Sequence, residues 1–375
     1  MLSVEELRAV RDGAADAVPA LVAALRDPAL SAQHEPSVAC VRLLAALYAD
    51  SDVSKREAMR AATVATHQRH ATSEAMARAA CKVYAAAVVD GVAAVADAVA
   101  EFENLVGALL QTWDTLWSAM AASTAAAVLD VFVRLVREGR ITGALLERAG
   151  QLRDVLARLH ASQAVAELTS QLCCELAQSR DAAHVRCLVD AGFVPTLLDV
   201  MDRYPDDAAM HHRALFVIAN VLEGSPSRSA LVHAHIVGNG GMGTLSASAG
   251  AHARHAGVLR CLGCILHHAA SQGDAVVADL VRAGGAHIIA KLLAVPELAH
   301  PREYEALCTA VNVATALVPH MPSPLLAETG MPARLESAVR ALEPALQLVS
   351  SGAGRDLVSR TCARASAAAL QTLQD

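Results

Sequence analysis

The sequence predicts an all-α protein, a right-handed superhelix of like helical units stacked in register. Three observations predict it. Hydrophobic residues make up 54% of the 375-residue chain while aromatics make up only 3%, and Ala and Leu, which dominate that apolar share, are strong helix formers. A Leu-to-Gly pattern recurs at a nearly constant interval through the second half. A second apolar pattern recurs between its copies and keeps the same phase.

The first pattern reads "LERAGQLRDVLARL" from Leu146, "LVDAGFVPTLLDVM" from Leu188, "LVRAGGAHIIAKLL" from Leu280 and "LAETGMPARLESAV" from Leu326. A degenerate copy, "LVHAHIVGNGGMGTL", starts at Leu231, and successive starts differ by 42, 43, 49 and 46 residues. The second pattern reads "AELTSQLCCELA", "ALFVIANVLEGS", "VLRCLGCILHHA" and "ALCTAVNVATAL". Aligning Leu168, Leu215, Leu259 and Leu307 gives spacings of 47, 44 and 48. Each unit therefore reads as a short helix stopped at a Gly, a second helix and a longer third helix. Gly150, Gly192, Gly284 and Gly330 occupy the stop, where the chain needs positive φ or a close backbone approach. Pro195 and Pro332 fit the first turn of the second helix, where a missing N–H costs little. No unit buries its own apolar face, so neighbours must stack.

Gly-x-(Val/Ile)-Pro-x-Leu-Leu, followed about twenty residues later by Ala-Leu-x-x-x-x-Asn-(Val/Ile), resembles the armadillo repeat. "GFVPTLLDVM" with "HHRALFVIANVL", from Gly192 to Leu222, carries the resemblance best, and it extends over residues 146–342. It divides the chain into residues 1–145, degenerate helical repeats, and residues 146–375, armadillo-like repeats with a C-terminal cap, in one array of about seven to eight units. In the first part "DAVPALVAALRD" and "SVACVRLLAALYAD" pass for a second and a third helix. "GVAAVADAVAEF", "LVGALLQTWDTLW" and "AAAVLDVFVRLVRE" suggest two further degenerate units.

The resemblance implies a non-enzymatic adaptor or scaffold whose concave third-helix surface holds an extended segment of a partner protein. In groove-binding members an Asn from successive third helices bonds the peptide backbone. That position holds Cys173, Asn220, Cys264 and Asn312 here, and the position one turn earlier, often Trp, holds Thr169, Phe216, Arg260 and Cys308. The candidate groove residues are thus Asn220, Asn312, Phe216, Arg260, Cys264 and His268. Without Trp slots to grip Lys stems, the implied groove is a generic one and not a reader of nuclear-localisation signals. Two other readings stay open: a nucleotide-exchange factor that clamps a heat-shock chaperone, and a structural subunit of a ciliary or cytoskeletal assembly.

Other chemistries are disfavoured by the residues themselves. "HIVGNGGMGTLSASAG", His235–Gly250, is glycine-rich but lacks the Lys-Ser/Thr ending of a phosphate loop and has no preceding strand, so it reads as a stretched turn within a repeat. Cys261, Cys264 and His268 share a helical face, yet structural zinc wants four ligands, and no metal or other cofactor is expected. Asp199, Asp202, Asp206 and Asp207 crowd a turn at Pro205. His211, His212, His233, His235, His252 and His255 cluster within one stretch and make sensitivity to pH between about 5 and 7 conceivable. A formal charge of −7 and the absence of any basic run argue against nucleic acid. Nine scattered cysteines suit reduced thiols in a reducing compartment. "MLSVEELRAV" reads as a helix start capped by Ser3 and Glu6, with no secretory signal. Asp90, Gly91 and Asp97 interrupt the most apolar stretch, Val83 to Ala100, so no membrane span is expected. A cytoplasmic location, with nuclear possible, follows.

Overall fold

The computed structural model describes residues 17–49, 51–89, 98–178, 181–224, 231–295, 304–343 and 357–374. Ser3, Glu6, Asp90, Gly91 and Asp97 lie outside them. Regular structure in the described residues is helical, and none of these helices is long and apolar enough to cross a membrane. By contacts the chain divides into two halves, Met1–Glu175 and Leu176–Asp375.

The N-terminal half opens with three pairs of long helices, the first pair joined through a single helical turn, Pro28–Ser31. They are α1 (Ala17–Arg26) with α2 (His34–Leu47), α3 (Val53–Arg69) with α4 (Glu74–Val89), and α5 (Ala98–Leu116) with α6 (Ala122–Arg137). A fourth unit has three helices, α7 (Thr142–Leu146), α8 (Ala149–Leu159) and α9 (Gln163–Gln178). Two ladders run through the stack: α1 packs on α3 and α3 on α5, while α2 packs on α4 and α4 on α6. The α3–α4 hairpin falls between the segments that the sequence marks as repeats, because α3 is rich in Thr, Arg and His.

Aromatic residues are few, but this half uses them as pins between helices. Tyr48, Tyr84, Trp113 and Phe132 are all fully buried. Trp113 of α5 meets the Phe132 ring of α6 at 5.4 Å and donates its indole N–H to Gln151 Oε1 of α8 at 2.8 Å. Tyr84 of α4 and Thr112 of α5 hold the two ring nitrogens of His67 on α3, at 3.0 and 2.9 Å. Large rings bury much area per residue, so a few of them hold several helices together.

The C-terminal half also holds four units: α10 (Ala182–Asp190), α11 (Phe193–Arg203) and α12 (Ala208–Gly224); α13 (Gly241–Ala251) and α14 (Ala256–Ala270); α15 (Asp274–Arg282), α16 (Gly285–Leu293) and α17 (Tyr304–Leu317); α18 (Ser323–Thr329), α19 (Met331–Ala341) and α20 (Leu357–Gln374). The second-helix ladder is α11, α13, α16, α19, and the third-helix ladder is α12, α14, α17, α20, each packed on the next. Asp side chains set several helix starts. Asp181 accepts from the Ala183 amide at 2.7 Å, and Asp207 from the Met210 amide at 2.9 Å, satisfying donors that a helix N-terminus leaves open.

The Gly landmark is real at three of its four expected places. Gly192, Gly284 and Gly330 have φ of 80°, 94° and 59°, and Gly240 joins them at 85° in the degenerate copy. Gly150 does not: it lies inside α8. There the corner is made by Arg148, whose guanidinium takes both Asp114 oxygens at 2.7 Å and the Ala144 carbonyl at 2.9 Å, so side-chain bonds replace the left-handed residue. A Cβ at Gly192 would touch nothing within 4 Å, so backbone conformation is the whole requirement. Gly192→Ala is therefore expected to cost about 1 kcal/mol in urea unfolding; an unchanged or raised midpoint would show that φ is not what selects glycine there.

Of the glycine stretch, residues 235–240 form a turn, as expected, whereas residues 241–250 belong to α13. Its surplus residues form a π-helical turn, Ala234–Gly238, before Gly240 reverses the chain into α13. Asp199 and Asp202 face that turn across a small cleft, and two carboxylates there repel a phosphate. Seven cysteines are free thiols, but Cys308, buried on α17, is disulfide-bonded. That position departs from the reduced thiols expected of the sequence.

Candidate peptide-binding face

The sequence-predicted residues fall on the third-helix ladder of the C-terminal half. On α12 the core side is Ala214, Leu215, Val217, Ile218, Val221 and Leu222; on α14 it is Val258, Leu259, Leu262, Ile265 and Leu266; on α17 it is Ala306, Leu307, Ala310, Val311, Val313 and Ala314. The 3.6-residue period then leaves Phe216 and Glu223, Arg260 and Cys264, and Glu305 and Asn312 on the other side.

Asn220 sits at the rim between core and outer side. It is 7% exposed, and its Nδ2 is buried without a hydrogen-bond partner. Two units on, Asn312 occupies the same place on α17; it is half-buried. Cys264 lies between them on α14, half-buried. Burial raises the Cys264 thiol pKa, Glu305 and Glu223 push the same way and Arg260 opposes them. The thiol therefore stays protonated at neutral pH and is a poor nucleophile. The charges that act on this thiol come from three neighbouring third helices, Glu223 of α12, Arg260 of α14 and Glu305 of α17. Phe216 is half-buried beside His212, ring centres 6.4 Å apart.

His268 is half-buried near the end of α14, and its ring lies 6.1 Å from that of His267. Cys261 is 7% exposed and points into the core. Among the described residues no group of three or more His, Cys, Asp or Glu side chains is placed to hold a metal ion.

The alignment of α9 needs a correction. Val165, Ala166, Thr169, Ser170, Leu172, Cys173, Leu176 and Ala177 are buried, whereas Leu168 is half-buried. This pattern superposes on Met210, His211, Ala214, Leu215, Val217, Ile218, Val221 and Leu222 of α12. Cys173 thus takes the place of Ile218, a core position, and Glu175 takes the place of Asn220. A helix rich in Ala and Leu fits two registers nearly equally, and burial chose the one the Leu alignment passed over. Glu175 is already engaged, accepting from Arg137 Nε at 2.7 Å.

No protein-family model and no curated protein sequence matches the chain. Solved structures do. One comes from work on a phosphorylation switch that controls the interaction between cadherin and beta-catenin; it is 14% identical, with a TM-score of 0.57, over 99% of this chain and 81% of its own. The fold is armadillo-like. A designed armadillo repeat protein in complex with the peptide (KR)4 is 18% identical over 76% of this chain and 98% of its own, at a TM-score of 0.38. An engineered protein is 18% identical over 71% and 95%, at 0.47.

Proposed function

We propose that this armadillo-like chain is a non-enzymatic protein-binding scaffold, and that the outer side of α12, α14 and α17 holds an extended segment of a partner protein. Asn220 and Asn312 bond the partner's backbone, and Phe216, Arg260, Cys264 and His268 line its path. The observation that carries this is the Asn220 amide. A buried N–H donor without a partner costs about 1–3 kcal/mol, and the same residue type recurs two units later on the same face. Turned outward from the rim by a rotamer change, the amide meets what its buried position lacks, a backbone carbonyl of an extended peptide that accepts. The fold resembles a structure from work on the interaction between cadherin and beta-catenin, which supports the reading at the level of a binding scaffold.

The test is an affinity measurement on the Asn220→Ala/Asn312→Ala double variant against a library of extended peptides. Two lost hydrogen bonds of roughly 1 kcal/mol each weaken binding about 10- to 30-fold. The thermal midpoint is expected to hold or rise slightly, because Asn220→Ala removes an unsatisfied buried group. A fall in the midpoint with affinity unaltered would make both residues structural. Capture of a folded chaperone lobe that ATP releases would replace the peptide reading with the exchange-factor one.

A further inference from the structure

Four histidines meet where α12 and α14 begin. His211 and His252 stand edge to face with ring centres 4.5 Å apart, and His212 and His255 lie tilted at 5.6 Å. His211 is 2% exposed. Its Nε2 reaches the Met201 carbonyl at 3.0 Å and the Tyr204 carbonyl at 3.1 Å, and its Nδ1 meets the Ser248 hydroxyl at 2.9 Å. Carbonyls only accept, so Nε2 carries the hydrogen and Nδ1 accepts from Ser248. His212 lies against the first turn of α14, where a Cβ added to Gly257 would come within 2.8 Å of its Nε2. His255 caps α14: its Nδ1 accepts the Val258 amide hydrogen at 3.2 Å.

The His255 cap needs an uncharged ring, whereas the His211 bonds survive protonation, because carbonyls accept from either form and the Ser248 hydroxyl can accept as well as donate. A proton on His255 Nδ1 removes the acceptor that caps α14 and sets a positive charge at the positive end of the helix dipole. Burial lowers the His212 pKa, and His255, Arg260 and Arg213 lower it further. For His211, burial and His252 lower it, while the Met201 and Tyr204 carbonyls and Asp207 act the other way. The groups facing the cluster are thus the Met201 carbonyl of α11 and the Tyr204 carbonyl just after it, Arg213 from α12 with Asp207 at its start, Ser248 from α13 and Arg260 from α14. Asp207 already spends one oxygen on the Met210 amide.

We propose that this corner is a proton-sensitive latch: acidification puts a proton on His212, seated against Gly257, and on the His255 nitrogen that caps α14, and frees the first turn of α14 from α12. The sign follows from the preference for neutral rings. The latch is fully closed above the ordinary histidine pKa and opens as pH falls below it. It stands without the peptide reading, although Arg260 rides on the released turn and Phe216 touches His212, so binding on that face would feel the change.

Hydrogen exchange of the Val258–Arg260 amides reads the latch directly in the full chain. Corrected for intrinsic exchange, wild-type protection is expected to fall about tenfold from pH 7.5 to 5.5. His255→Asn, which caps without titrating, is expected to lose about threefold or less. A second measurement needs no variant: the imidazole resonances of His211 and His212 should titrate with midpoints below about 6.5. Protection that does not change with pH in the wild type, an equal loss in His255→Asn, or midpoints at or above that value would overturn the latch.

Discussion

Lowering the pH from 7.5 to 5 is expected to remove about 2 kcal/mol of stability from the N-terminal half through His67 alone. His67 is fully buried on α3, held by Tyr84 and Thr112, and burial pushes its pKa from 6.5 to about 4. The unfolded chain therefore binds a proton that the folded one refuses across that window. Stability is complete above about pH 6.5, falls as pH drops toward 4, and stops falling below it, where both states are protonated. His67→Gln keeps a donor and an acceptor within reach of the two hydroxyls but cannot titrate in this range. Urea unfolding of both proteins at several pH values isolates the term, because the other histidines are common to both. The stability difference between them should shrink by about 2 kcal/mol from pH 7.5 to 5. A difference that stays constant with pH would mean that His67 is accessible to protons in the folded chain.

How far the sequence reveals this molecule varies with the physics of each element. α11 was fully readable: a Gly at positive φ, a Pro in the first turn and an apolar face that is buried from Phe193 to Met201. Those signals are local, and local signals survive without coordinates. The register of α9 was not readable, because it depends on which of several similar small residues the neighbouring helices cover. The α3–α4 hairpin was passed over because its buried side includes Thr63, Thr66 and His67, residues that look like a solvated face until their partners are known. On the candidate face the sequence named Asn220 and Asn312 correctly as third-helix residues in step. The missing partner of the Asn220 amide and the seat of His212 on Gly257 arise between helices, where no single segment records them.

Trp113→Ala is expected to produce the largest loss of any single change considered, about 3–5 kcal/mol. The indole is fully buried, and deleting it leaves a void between α5, α6 and α8 that rigid helix backbones cannot close. Two contributions can be separated. Trp113→Phe retains a ring against Phe132 but gives up the bond to Gln151, whose side chain is half-buried and can turn to water, so this variant should lose about 1–2 kcal/mol. The consequence reaches beyond α5 because stacked units are stable only through their neighbours. Hydrogen exchange in the alanine variant should therefore accelerate in α6 and α8 as well as in α5, by comparable factors. Acceleration confined to α5, with α6 and α8 as protected as in the wild type, would show that these helices do not depend on one another and would remove the physical basis for reading this half as a stack.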